Sequence, residues 1–156
     1  MTRPAVLSPS FSWEQVEASA TAKKRRILNT LPDELLVNAA RTAQFIECVL
    51  GLVGASTISS WYRCPILNEA VGSKPSSKHL LALAADLTPL NVSLDVAFER
   101  IRASALPFDQ LIVERTTSGS AWLHVGLSLE TPRREALKAL GATLGGTMAF
   151  TRVSSG

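Results

Sequence analysis

The feature that most constrains this chain is the placing of its only two histidines. His79 opens the run His79-Leu80-Leu81-Ala82-Leu83-Ala84-Ala85-Asp86, and His124 sits in Trp122-Leu123-His124-Val125. Successive side chains of a strand point to opposite faces. Leu123, Val125 and Leu127 therefore fall on one side, and Trp122, His124 and Gly126 on the other. The first set is a core face; the second is a site face with a small residue beside the histidine. A fold that joins His79, Asp86 and His124 offers two neutral imidazoles and a carboxylate. That donor set suits zinc and leaves a fourth position for water. Spacing by itself leaves a second possibility open, a buried histidine whose hydrogen bonds are met by its neighbours.

Local signals divide the rest of the chain. Residues 1–10 carry Pro4, Pro9 and small polar residues, and read as an arm. Ser12 with Gln15 makes a capping-box pattern and Phe11 can staple onto Val16, so a short helix starts there. Pro32, Asp33 and Glu34 suit the first turn of a longer helix. Leu36, Ala39, Ala43, Ile46, Leu50 and Val53 recur at three- and four-residue steps as its buried stripe, and Gly51 and Gly54 bring it to an end. Residues 57–60 read as a strand, Pro65 opens a short helix through Val71, and residues 72–76 form a loop that delivers His79. The run 83–87 suits a buried strand, stopped by Thr88-Pro89. Ser93 caps a helix with Val96, Ala97, Ile101 and Ala105 on one side, closed by Pro107. Two facing strands follow, 109–114 and 121–127. If they turn near Ser118, Glu114 lies opposite Trp122 and Ile112 opposite His124, all on one face. Leu111, Val113, Leu123 and Val125 then share the other. Thr131-Pro132 is expected to start a last helix that stops near Gly141. The remainder is Gly-rich, with one strand around Met148-Ala149-Phe150. Helices segregated from a largely antiparallel sheet give an α+β class. The expected divisions are an arm (1–10), one domain (11–141) and a C-terminal extension (142–156).

A chain of 156 residues is long enough to bury a core without staples. The net charge of +3 comes partly from Lys23-Lys24-Arg25-Arg26, which reads as a solvated helix face. No nucleic-acid motif surrounds it, so no nucleic-acid partner is expected. Cys48 and Cys64 do not make a disulfide framework. Residues 1–9 lack the apolar segment of a secretory signal. The apolar stretch 35–54 is interrupted by Asn38, Arg41, Gln44 and Glu47, so no membrane span is expected.

Five segments occur in a fixed order: Ser60-Trp61-Tyr62-Arg63-Cys64-Pro65, Leu67-Asn68-Glu69-Ala70-Val71-Gly72, Ser77-Lys78-His79, Ala84-Ala85-Asp86 and Trp122-Leu123-His124. The series resembles the zinc D-alanyl-D-alanine carboxypeptidase-like family of peptidoglycan peptidases. Its pattern runs S-G-Y-R-S-P, L-N-x-A-V-G-G, S-x-H-x-x-G-x-A-x-D and W-x-H. Phe11-Ser12-Trp13-Glu14 and Asn29-Thr30-Leu31-Pro32 are similar to the opening of a phage-associated branch. The resemblance implies a D-Ala-D-Ala metallopeptidase/hedgehog-like fold and zinc held by His79, Asp86 and His124. It also implies a peptidoglycan stem peptide as substrate, with Arg63 holding a peptide carboxylate or carbonyl. Arg63 can instead tie an acid to a loop. Ser77 either donates to substrate or holds its loop, Tyr62 either contacts substrate or packs, and Trp61 and Trp122 are candidates for the cleft wall.

Several relatives carry an acid three positions before the last histidine, where this chain has Ala121. The remaining candidate for proton transfer is Glu114. Trp61 and Cys64 stand where glycine and serine are usual, and Ala82 replaces the glycine of H-x-x-G. Bulk at residue 61 is expected to narrow the cleft. Two functions follow from the resemblance. One is a phage lysis or virion peptidase, made in the bacterial cytoplasm and acting at the host wall. The other is a structural or attachment component of a virion, beside other phage structural proteins, that keeps the fold with little catalysis.

Overall fold

The computed structural model describes residues 3–141 and 148–154. Its centre is one six-stranded sheet made of β1 (Ser56–Ser60), β2 (Ala84–Pro89), β3 (Gln110–Thr116), β4 (Ala121–Gly126), β5 (Glu135–Gly141) and β6 (Met148–Arg152). The spatial order is β1-β2-β4-β3-β5-β6. Neighbours are antiparallel except β3 and β5, which run parallel. The chain is a small single α+β domain, as its patterning predicts.

The β3–β4 register is the one the alternation implies, with Glu114 opposite Trp122 and Ile112 opposite His124. A slip of one residue would turn Leu111, Val113, Leu123 and Val125 out of the core, where each is at most 1% exposed. β2 lies on the other side of β4 and sets Asp86 directly opposite His124. The core face is covered by α3 (Leu36–Val53) and α5 (Leu94–Ala103).

A 3-10 turn at Asp33–Leu35 leads into α3, which buries Leu36, Ala39, Ala43, Ile46 and Val53 of the expected stripe, together with Thr42, Phe45 and Val49. The helix runs through Gly51 and ends at Gly54, whose φ of 83° glycine adopts without a steric penalty. By length and apolar content alone the 21 residues Asp33–Val53 would suffice to cross a membrane, a test that a core helix passes as well. In this fold the apolar stripe is core. In α5 the Ser93 hydroxyl accepts the Val96 N–H at 3.2 Å. Its buried residues are Ala97, Phe98 and Ile101, and it stops at Ala103. Val96 is 42% exposed, so the inward stripe passes through Phe98 instead.

At the N-terminus, α1 (Trp13–Glu17) follows Ser12, whose N–H donates to the Gln15 side chain at 2.8 Å. The Ser8 and Ser10 hydroxyls bond Glu47 of α3, and the Trp13 indole donates to the Pro4 carbonyl. α2 (Ala20–Arg25) carries the basic cluster, all of it exposed, and α4 (Pro65–Ala70) precedes the His79 loop.

Two expected boundaries move. Thr88-Pro89 does not stop β2 but pairs with Thr57 and Ser56. Pro89 is the last residue of its strand, a place where the missing N–H is tolerated. The larger correction is β5, which replaces the helix expected before Gly141. Glu-Ala-Leu-Lys-Ala-Leu is made of good helix formers, yet the outer edge of β3 takes it as a parallel partner. The preceding turn is fixed by Asp109, 2% exposed, which accepts the backbone N–H and guanidinium of Arg133. Arg134 then adopts a left-handed φ of 53°, which no helix can pass through. The Glu135 N–H bonds the Asp109 carbonyl and opens the ladder. β6 pairs with β5 where a strand was expected. Residues 142–147 and 155–156 of the extension lie outside the described residues.

Candidate metal centre

Asp86 and His124 meet across β2 and β4, with Asp86 Oδ1 2.9 Å from His124 Nδ1. Gly126 borders the far edge of that ring, since a Cβ there would touch His124 Nε2 at 3.5 Å. His79 arrives from a 3-10 turn, Lys78–Leu81, in which the Ser77 hydroxyl accepts the His79 N–H at 3.3 Å. Ala82 closes this turn with a left-handed φ of 55°. That conformation costs a residue with a Cβ about 1–2 kcal/mol, which accounts for the glycine in the H-x-x-G pattern. The His79 Nδ1 lies 2.5 Å from the Trp61 carbonyl. A carbonyl only accepts, so Nδ1 carries the proton and Nε2 keeps its lone pair. This Nε2 is buried and has no hydrogen-bond partner among the described residues, with Asp86 Oδ1 3.3 Å away. The three groups present ligand atoms that all lie within 4.8 Å of one another.

Arg63 completes the arrangement. Its Nη2 donates to Asp86 Oδ2 at 3.0 Å and its Nε to the Ser60 hydroxyl at 3.0 Å. Asp86 thus divides its oxygens, one to the guanidinium and one to the imidazoles. Burial pushes Asp86 up, but the two imidazoles together hold its carboxyl well below the usual carboxylate range. Burial likewise pulls His124 down, and its hydrogen bond to Asp86 with that carboxylate's charge overrides this and raises it. At His79 burial wins and lowers the imidazole, keeping it neutral. Glu114 stands on the same face, two pairs along the β3–β4 ladder from His124. Burial first, then the Asp86 charge, pushes its carboxyl up to about 6.

A family model described as Peptidase M15 matches residues 9–126, well over half of the chain and every residue named in this site. The chain belongs to the M15 peptidase family. No curated protein matches it. M15 peptidases are zinc-dependent, and this M15 chain is a metallopeptidase. The donor set fits the metal on its own chemistry. A buried imidazole lone pair with nothing to accept from is costly unless a cation fills the space, and two imidazoles with one carboxylate are zinc ligands.

Among the other residues singled out by sequence, Trp122 is half-buried opposite Glu114; its buried indole N–H has no well-aligned acceptor among the described residues, yet it acts on the Glu114 carboxyl and offsets part of its rise. Ser77 holds the backbone of the His79 turn. Tyr62 is 4% exposed within the core cluster and offers a substrate almost no surface. Trp61 does not narrow the cleft of this M15 domain. It is fully buried and meets Phe11 edge-on, at 5.6 Å between centroids. Cys64 donates its N–H to Asn29, and Cys48 is exposed and unbonded. Ala121 faces Arg115 in the ladder, so no acid stands there. Three contributors went unread in the sequence. The Ser60 hydroxyl opens the motif at residues 60–65, but its role as acceptor for Arg63 was not assigned. Asp109, which fixes β5, has no local signal, and the Trp61 carbonyl is backbone and leaves none.

Proposed function

We propose that His79 Nε2, Asp86 Oδ1 and His124 Nδ1 hold the zinc, and that the enzyme hydrolyses a peptide bond in the stem peptides of peptidoglycan. The observation that carries the metal assignment is the buried, unpartnered lone pair of His79 beside a carboxylate that faces both imidazoles. Bound zinc supplies Lewis acidity toward the scissile carbonyl and makes a nucleophile of water at neutral pH. Glu114 takes the proton of the attacking water and returns it to the leaving amine. In the metal-free chain burial pushes this carboxyl up to about 6, and a bound cation beside it would favour the ionised form that accepts a proton. Arg63 binds a carboxylate or carbonyl of the peptide; among the described residues its Nη1 has no acceptor. The indole N–H of Trp122 faces the Glu114 carboxyl and helps to hold it as the base.

The substrate class and the phage setting rest on the ordered motifs and on the opening segments at residues 11–14 and 29–32. A D-Ala-D-Ala end and an L-Ala-D-Glu link both fit the resemblance. The rival reading, a virion component with little catalysis, was motivated by Trp61, Ala82 and Ala121. Trp61 lies in the core and Ala82 takes the backbone a glycine would take, which weakens two of those three motives. The test is metal analysis of the purified chain beside an assay on purified peptidoglycan. One zinc per chain, lost in His79→Ala, together with released peptide, supports the proposal. Full zinc with no cleavage favours the virion component, and a site built on Cys48 or Cys64 sinks the metal assignment.

A further inference from the structure

The helix-covered side of the sheet, away from His124, holds a second polar cleft. It lies where α5 ends and β5 begins, has a volume of about 430 Å³, and is bordered by Arg102, Ser104, Phe108, Arg133 and Arg134 among others. Three guanidiniums line it and no carboxylate does. Two of the three have acidic partners outside the cleft, Glu99 for Arg102 and Asp109 with the more distant Glu135 for Arg133. Arg134 has none among the described residues. It bonds only the carbonyls of Leu106, Arg102 and Ser104, neutral groups that leave its charge uncancelled.

Arg134 is also held in place from two directions. The buried ring of Phe108 lies 4.4 Å from its guanidinium carbon and fixes the plane of the fork. Its backbone adopts the left-handed φ of 53°, unfavourable for any residue with a Cβ, so the surroundings over-determine this conformation. Three of its five N–H groups serve the carbonyls, and two are left over. Spare planar donors, an uncancelled positive charge and an open volume match an oxyanion with several acceptor atoms. A carboxylate would use two donors; a phosphate group can use donors from all three arginines. We infer that this cleft binds a phosphate group, either as the free anion or as the ester of an anionic polymer.

The test is titration calorimetry of the zinc-loaded chain at low ionic strength, with inorganic phosphate and with lipid-free poly(glycerol phosphate) as probes. Saturable binding is expected to persist in the zinc-free chain, which separates the cleft from the metal. Arg102→Gln removes one guanidinium from a partly exposed pair with Glu99 and a contact to the Ser154 carbonyl, neither of them in the core, and circular dichroism checks that the fold is kept. This substitution should weaken binding about tenfold, the loss of one charge-assisted hydrogen bond. Arg134→Lys keeps the charge but loses the fork, and should weaken it comparably. Should Arg134→Lys fail to fold by circular dichroism, Arg102→Gln decides. The double variant Lys23→Gln/Lys24→Gln, on exposed α2, should change nothing. Polymer binding alone identifies the ester as the ligand, and phosphate binding alone identifies the free anion. No saturable binding of either overturns the proposal. So does binding that needs zinc, that is indifferent to Arg102→Gln, or that falls equally in the α2 variant.

Discussion

The two faces of β2, β4 and β3 share one backbone and have opposite chemistry. The core face presents Ala85, Leu87, Leu123, Val125, Leu111 and Val113, none more than 1% exposed. The other presents Asp86, His124, Trp122, Ile112 and Glu114 at the intervening positions. The first face is what the chain folds on. The second gathers groups that are poor for stability: a lone pair without a partner, a carboxyl raised by burial, a carboxylate between two imidazoles. Because the apolar face fixes the register alone, the polar face is free to be arranged for binding. Substitutions on the two faces should therefore separate activity from stability.

The largest effect belongs to the polar face. Glu114→Gln should lower peptidoglycan cleavage by ~10² to 10⁴ while zinc content stays as in the parent and the chain is no less stable. Undiminished cleavage would remove Glu114 from the proton transfer. One residue from the metal group but on the other face, Leu123→Ala should cost about 2–5 kcal/mol in urea unfolding. A loss below about 1 kcal/mol would mean that the two faces do not divide the work in this way.

A smaller effect isolates the strain on the polar face. In the folded, metal-free chain Glu114 is raised from an ordinary 4.5 to about 6. Its protonated form is the one the fold favours. The associated stability is fully present below 4.5 and is lost as pH rises through 6. Glu114→Gln should therefore unfold at higher urea than the parent at pH 8, by about 1–2 kcal/mol, and equally with it at pH 4. Equal stability at both values would show that the carboxyl is not strained. The smallest effect concerns the turn that carries His79. Ala82→Gly relieves a left-handed backbone but removes a buried methyl. These terms oppose at about 1 kcal/mol each, so stability should stay within about 1 kcal/mol of the parent. A loss above 2 kcal/mol would show that the methyl outweighs the backbone.

The same strand, β3, shows what was legible in the sequence and what was not. Its pairing with β4 could be read because both segments alternate and a short turn joins them, so local pattern and tertiary contact agree. Its pairing with β5 could not. The residues of β5 favour a helix, and the reason they are extended lies at Asp109, a buried acid 26 positions before Glu135 that turns the chain through Arg133. At the metal centre the side-chain donors were legible because they sit in ordered motifs. The carbonyl that orients His79 belongs to Trp61, whose side chain was read as part of a cleft wall. Backbone roles of this kind have no residue type to betray them.

The division of Asp86 between Arg63 and the imidazoles bears on which ion the site accepts. A carboxylate whose far oxygen is held at 3.0 Å by a guanidinium has only one oxygen to give. It is a one-toothed ligand by construction. Large, oxygen-seeking cations such as calcium want six to eight oxygens and often take carboxylates by both. Here such an ion would find two nitrogens and a single oxygen. Zinc asks for no more than that, so on the proposed ligand set Arg63 would bias the choice of metal without touching it.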